Sequence, residues 1–334
     1  MTRGFSRFLS LLGGLSLAFA IVARAEPRDP AKNNDIPPFV VPPVNPNASY
    51  ERFMVFGDMG TGRPDQYRVA AAMTQRAKSD GLDFMLTVGD NFYEVGVSSV
   101  NDPQFKTKFE DVYADPVLQV FVYPSLGNHD HHGNILAQVE YSSRNPNWKM
   151  PAPYYTFTRT LGDGATAQFF AIDTNPIKAK DREAAEQIQW LERELAESKA
   201  DWKFVYGHHP LYSHVDRARA GERRTMIAAL EPVFIEQKVD VYFAGHDHTL
   251  EMLKPVAGVN YVISGGGAGP ERAYGVEWTD QSYYTATLGG FALCRLSKDE
   301  LVIEFVRVGG RTEYAHTMTK QPLQARGTVK GSRG

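Results

Sequence analysis

The 334-residue chain contains nine histidines, and eight of them fall in three clusters: His129, His131 and His132; His208, His209 and His214; His246 and His248. His316 stands apart. Neutral imidazole is the commonest protein metal ligand and its protonated form is a general acid near neutral pH, so bunching of this kind points to a shared site. The clusters belong to a set of five short blocks. These are Phe56-Gly57-Asp58-Met59-Gly60, Val88-Gly89-Asp90-Asn91-Phe92-Tyr93, Leu126-Gly127-Asn128-His129-Asp130, Tyr206-Gly207-His208-His209-Pro210 and Gly245-His246-Asp247-His248. Each follows an apolar run and carries a Gly before its first polar residue, where a glycine lets the backbone turn sharply and deliver a side chain to an ion. Cys294 is the only cysteine and lies near none of them, so any metal site here uses nitrogen and oxygen ligands.

Together the blocks supply two carboxylates (Asp58, Asp90), one amide oxygen (Asn128), three imidazoles (His208, His246, His248) and a phenol (Tyr93). That is too many for one tetrahedral zinc and suits two ions of five or six coordination sharing a carboxylate. Such a pair clamps the attacking and leaving oxygens of an in-line displacement at phosphorus. Taken singly, each residue has an ordinary explanation. An Asp after a strand is usually a turn or helix cap, Asn favours positive-φ turns, and a lone Tyr is usually a half-buried aromatic. Repetition across five blocks favours ligation. His131 and His132 read as surface or supporting residues. The run Gly265-Gly266-Gly267-Ala268-Gly269 lacks the Lys-Ser/Thr of a phosphate-binding loop and reads as a tight loop near the site.

The elements that must position these blocks alternate between short apolar runs and amphipathic segments. Strands are predicted at Phe53–Phe56, Phe84–Val88, Val120–Pro124, Phe169–Ile172, Phe204–Tyr206, Val241–Phe243 and Tyr261–Ile263. Helices are predicted at about 64–79, 103–112, 134–142, 182–198 and 223–237, the clearest being 182–198 with Ile188, Leu191 and Leu195 on one face. Tyr284–Leu296, Leu301–Val308 and Thr312–Thr319 read as an antiparallel meander with a turn at Gly309-Gly310. The pattern is that of one α/β domain with mixed sheets, and in such folds sites form past the carboxyl ends of the strands.

Upstream, Arg3 and Arg7, the apolar stretch Phe8–Val22 and Ala23-Arg24-Ala25 have the form of a cleavable export signal over residues 1–25. Its removal takes three Arg and no acids, moving the net charge from −3 to −6 and leaving no electrostatic case for nucleic acid. Residues 26–50 form a Pro-rich linker, 51–320 the catalytic domain and 321–334 a flexible tail. With one thiol, the exported chain has no internal disulfide.

In their order and spacing, GDMG, GDNFY, GNHD, GHHP and GHDH resemble the blocks of the calcineurin-like metallophosphoesterases. They are most like the purple acid phosphatases in their small, tartrate-resistant form. The resemblance extends through Asn128-His129-Asp130-His131, Trp148–Phe157, Gln189-Trp190-Leu191 and Tyr261–Gly265. It implies a four-layer sandwich of two packed mixed β-sheets flanked by α-helices, and an exported acid phosphatase acting on small-molecule or protein phosphomonoesters. It implies that Asp58, Tyr93 and His248 hold Fe(III), that Asn128, His208 and His246 hold a divalent iron, zinc or manganese, and that Asp90 bridges them. Hard phenolate and carboxylate donors suit a trivalent ion, and imidazoles a borderline divalent one. The implied reaction is in-line attack of a metal-bound hydroxide, with His129 as phosphate contact or proton donor and Asp130 fixing its ring. His214 is the nearest counterpart of a further family histidine, at shorter spacing than in animal members, and His209 stands where those members carry tyrosine. With only residues 26–50 between the cleavage site and the first block, no separate N-terminal β-domain of the plant type is expected. The expected product is a periplasmic or secreted monomer with no stable nucleic-acid partner and no membrane attachment after cleavage. The rival readings are a phosphodiesterase or nucleotide-cleaving relative, and a non-catalytic metal-binding surface protein. Animal members also carry, before the helix at 182–198, a longer loop that represses activity until it is cut. Here Asp173-Thr174-Asn175-Pro176 runs almost directly into that helix, so limited proteolysis of the purified protein is expected to leave its turnover unchanged.

Overall fold

The computed structural model describes residues 39–45, 48–215, 219–267, 280–287 and 289–320, all within one compact unit, Asn34–Gly334. The predicted export signal, most of the Pro-rich stretch, Ala268, Gly269 and the tail at 321–334 lie outside the described residues.

Two mixed sheets carry the fold. In the first, β1 (Glu51–Phe56), β2 (Phe84–Val88) and β3 (Phe121–Ser125) run parallel. The far edge of β1 continues antiparallel into β11 (Gly290–Leu296), β12 (Glu300–Arg307) and β13 (Thr312–Thr319). In the second, β5 (Thr166–Ala171), β6 (Trp202–Tyr206), β7 (Val241–Ala244) and β9 (Asn260–Ser264) run parallel. The antiparallel strands β4 (Tyr155–Thr160), β8 (Leu250–Leu253) and β10 (Ser282–Ala286) close that sheet. Strands covered on both faces need no polar side, which is why β2 reads Phe-Met-Leu-Thr-Val with every residue buried.

Between the sheets lies an aromatic seam. The Phe53 ring on β1 stacks on Phe84 at 4.9 Å and meets Phe169, Phe204 and Phe243 of the second sheet edge-on at 5.6–6.3 Å. A second core lies between the other face of the second sheet and its helices, α3 (Thr174–Ala179), α4 (Arg182–Glu197) and α5 (Ala220–Glu236), where Leu191, Leu195, Leu230 and Phe234 are buried. On the first sheet, α1 (Pro64–Asp80) opens with Pro at its first turn, where the missing N–H costs nothing. The short α2 (Ile135–Tyr141) buries Tyr141 in the core that contains Phe53.

The structure departs from the sequence reading in four places. Tyr284–Leu296 is two strands in different sheets: Ser282–Ala286 pairs with β8 and Gly290–Leu296 with β1. Apolar patterning cannot show which of two apolar sheets a strand joins. The helix expected at 103–112 is largely a π-helical turn, Lys106–Glu110, and the buried Gln66 amide donates to the Lys108 carbonyl at 2.8 Å. A side chain that intercepts a helix carbonyl widens the turn. Strands β4 and β8 were not expected. Finally, Asp173–Pro176 does not run straight into α4: Asp173 caps α3 by accepting from the Asn175 N–H, so an extra helix fills the short connection.

Because Phe53 is fully buried among four rings, Phe53→Ala should cost about 3–5 kcal/mol of stability. Chemical denaturation followed by circular dichroism measures it.

Candidate metal centre

All five blocks sit past the carboxyl ends of parallel strands. Asp58, Asp90 and Asn128 follow β1, β2 and β3 in one sheet, while His208 and His246 follow β6 and β7 in the other. The site therefore straddles the seam between the sheets.

The glycines do less turning than the sequence suggests. Gly89 has φ +84°, but the left-handed residues elsewhere in the blocks are the polar ones: Asp58 (+57°), Asp90 (+52°), His246 (+71°) and His248 (+48°). Asn128 is not among them. What the other glycines provide is room. A Cβ on Gly245 would lie 2.6 Å from Asp58 Oδ2 and 2.8 Å from the Val88 carbonyl oxygen, and one on Gly127 would collide with Asp90. The chains approach so closely that only a residue without a side chain fits.

The donors assemble in two groups. In one, the Tyr93 hydroxyl lies 3.2 Å from Asp58 Oδ1 and 3.1 Å from His248 Nε2, and His248 Nε2 lies 3.2 Å from Asp58 Oδ1. In the other, His208 Nε2 lies 3.1 Å from Asn128 Oδ1 and 3.0 Å from His246 Nδ1. Asp90 Oδ1, 3.4 Å from His208 Nε2, joins this group, and its carboxylate also faces Tyr93. Asp58, Asp90 and His208 each bring a ligand atom within 4.8 Å of the others, all three buried.

The protons show what such a pocket wants. The Val88 carbonyl can only accept, so His208 Nδ1, 2.8 Å away, carries the hydrogen. A neutral His208 then presents a lone pair at Nε2, and around it stand the oxygens of Asn128 and Asp90 and a nitrogen of His246. Lone pairs facing lone pairs are stable around a cation. At bond lengths of about 2.1 Å, adjacent ligands of an octahedral ion lie about 3.0 Å apart, and those of a tetrahedral ion about 3.4 Å. The observed spacings fall in that range, so the residues fit a pair of ions. Asp58 favours positive charge beside it: burial opposes its ionisation, but charge on His248 and His208 and the His246 N–H outweigh that and hold it below the usual carboxylate range. An ion bound there would take the place of the imidazole protons and leave the rings free to ligate. Burial, then Asp58 and Asp90, push the Tyr93 phenol well above its ordinary value, so only a strongly charged cation beside it would ionise it.

His129 lies beside the donors without joining them. Its Nδ1 is 2.6 Å from the Glu94 carbonyl, its ring packs on Tyr93 at 4.5 Å, and its N–H donates to Asp90 Oδ1 at 2.9 Å. Asp130 does not hold that ring, contrary to the sequence reading. It is fully buried and accepts from the N–H groups of Asn91, Phe92 and Gly127 and from Gln138 Nε2. It ties the second block to the third because it reaches three loop N–H groups with no other described acceptor. Burial, with Asp90 nearby, raises its pKa to about 6. His214 is held by Glu251 of β8, which accepts from its backbone N–H at 3.0 Å and lies 3.1 Å from its Nδ1. His131 pairs with Asp173 at 2.8 Å, and His209 Nδ1 lies 2.7 Å from the Thr174 hydroxyl.

Gln138, Thr174, Arg219 and Glu222 hold residues of the five blocks, and Asp173 and Glu251 hold His131 and His214, yet the sequence reading assigned a role to none of them. They come from helices, from the residues that cap them and from β8, and a lone Gln or Glu on a helix carries no signal of what it faces.

A family model for calcineurin-like phosphoesterases matches residues 51–250. The chain is 31% identical to tartrate-resistant acid phosphatase type 5 of Rattus norvegicus, over 82% of this chain and 92% of that one. It is 30% identical to purple acid phosphatase 7 of Arabidopsis thaliana, over 80% of this chain and 86% of that one. Among solved structures it is similar to GAP50, described as the anchor in the inner membrane complex of Plasmodium. That match has a TM-score of 0.73 and 26% identity, covering 82% of this chain and 90% of that chain.

A methyl group at Gly245 would force Asp58 and β2 apart. Gly245→Ala is therefore expected to keep native far-UV circular dichroism while losing most bound metal, as measured by elemental analysis of the purified protein.

Proposed function

The chain belongs to the calcineurin-like phosphoesterase family, and on that premise we propose that it is an exported acid phosphatase using a dinuclear Fe(III)–M(II) centre, M being iron, zinc or manganese. The observation that carries this reading is the convergence of seven donor side chains as two triads, Asp58–Tyr93–His248 and Asn128–His208–His246, with Asp90 between them. The first triad offers a carboxylate and a phenol to a hard trivalent ion, and the second offers imidazoles to a divalent one. When bound, the two cations would supply charge neutralisation at phosphate and a nucleophile ionised at low pH. The acid phosphatase names of the relatives support a phosphomonoester substrate. Arg3, Arg7 and the apolar stretch before Ala25 support export.

The chain's own residues prepare the rest. Donation from His129 Nδ1 to the Glu94 carbonyl, with the ring packed on Tyr93, leaves Nε2, which carries the second proton of the imidazolium form, as the nitrogen that contacts the substrate phosphate or gives that proton to the leaving oxygen. Asp130 does not take part in this transfer. It holds the loop that carries His129 and Asn128 against the loop that carries Asp90 and Tyr93.

The anchoring role ascribed to GAP50 raises the reading of a non-catalytic scaffold, and the complete set of candidate donors argues against it here. Four measurements test the proposal. The purified protein should hold two metal ions per chain, one of them iron, and be coloured by phenolate-to-iron charge transfer. Tyr93→Phe should abolish the visible band. Asp90→Asn should lower phosphomonoester turnover at least about 100-fold, since a shared ligand supports several kcal/mol of transition-state stabilisation. Full activity in Asp90→Asn would rule out the catalytic reading, and faster cleavage of a diester than of a monoester would point to a phosphodiesterase.

A further inference from the structure

The first turn of α5 reaches back to the fifth block. Glu222 Oε2 lies 3.3 Å from His246 Nε2, and its other oxygen lies 3.6 Å from Lys178 Nζ on α3. One turn earlier, Arg219 Nη1 donates to the His246 carbonyl at 3.0 Å and to Asp247 Oδ1 at 2.8 Å. From the other side, the His246 N–H donates to Asp58 Oδ2 at 2.8 Å. His246 thus has its N–H, its carbonyl and its ring held by three different residues, Asp58, Arg219 and Glu222.

His246 needs this hold. Its φ of +71° is one that a residue with a side chain adopts at a cost, and such conformations persist where the surroundings over-determine them. Its ring also has a choice of tautomer. His208 has that choice made by a backbone carbonyl, Val88. No described carbonyl plays that part for His246, and the acceptor at its outer nitrogen is Glu222. We propose that Glu222 is a positioning residue for the metal centre. Its carboxylate accepts a hydrogen bond from the Nε2–H of His246 and so turns the Nδ1 lone pair toward the point shared by His208, Asn128 and Asp90. A carboxylate behind a ligating histidine fixes ring and tautomer and raises the donor strength of the ligand.

His209, Glu222 and His246 also bring ligand atoms within 4.8 Å of one another, which could be taken for a further cation site. Thr174 argues otherwise. Its hydroxyl oxygen already accepts from the backbone N–H groups of His208 and His209, so its own hydrogen is directed to His209 Nδ1 at 2.7 Å. A neutral His209 then carries its proton on Nε2, where it cannot ligate. The ring, 4.4 Å from that of His246, acts as a packing wall on the side of the clamp.

The inference rests on His246 being a ligand of the divalent ion, and the test separates the two claims. Iron-loaded protein, its variants Glu222→Ala and Glu222→Gln, and His246→Ala are titrated with Zn(II) against a competing chelator, with the visible band recorded throughout. Glu222→Ala is expected to weaken Zn(II) about 10–100-fold while the band persists, because the proposed iron ligands Asp58, Tyr93 and His248 are untouched. Glu222→Gln, whose amide oxygen still accepts the Nε2 proton, should recover most of that loss. Zn(II) affinity within twofold of the parent in Glu222→Ala, alongside a large loss in His246→Ala, overturns the role of Glu222 and leaves the metal centre standing. Unchanged affinity in His246→Ala overturns both.

Discussion

Two carboxylates, Asp58 and Asp90, are buried where the two sheets meet, and the site is organised around that fact. An ionised carboxylate taken out of water is costly unless its charge is met on the spot. Asp58 meets part of it with His248 and the His246 N–H, and Asp90 with the His129 N–H. Both oxygens of Asp58 therefore pull on loops of the second sheet, although Asp58 itself follows a strand of the first. The same burial that makes these groups expensive makes them strong attractors for cations, and it keeps the Tyr93 phenol protonated until one arrives.

Each triad draws on both sheets. Asp58 and Tyr93 follow strands of the first sheet and His248 one of the second, while Asn128 belongs to the first and His208 and His246 to the second. Neither group of donor side chains is assembled until the sheets have packed face to face. The aromatic seam around Phe53 therefore serves the site as well as the core, since it sets the sheet separation over which donor atoms meet at 3.0–3.4 Å.

Around the donors runs a layer of residues whose work is geometric. Asp130 spends its carboxylate on loop N–H groups, Gly127 and Gly245 give up a side chain so that neighbouring loops can touch, and the Val88 carbonyl sets the His208 tautomer. The first turn of α5 does for His246 what Val88 does for His208, with a carboxylate in place of a carbonyl. His214 and His131 are each tied to a buried acid, Glu251 and Asp173 respectively.

The sequence alone determined the candidate donors and the strands that present them. Five blocks after five apolar runs are a local pattern: burial on both faces makes the runs apolar, and the polar residues just past each strand end stand out. That pattern singled out Asp58, Asp90, Tyr93, Asn128, His208, His246 and His248 as candidates without coordinates, and the fold brings their side chains together. It could not divide Tyr284–Leu296 between two sheets, because both sheets demand the same apolar pattern. It misplaced the partner of His129 and passed over Glu222, since both depend on which carbonyl or carboxylate stands across a gap from the ring. Which atom accepts a given imidazole proton is set by loops and helices distant in sequence, and only packing brings them within hydrogen-bond reach. The tertiary structure decided that, because a hydrogen bond is made at about 3 Å and no spacing along the chain encodes such a distance.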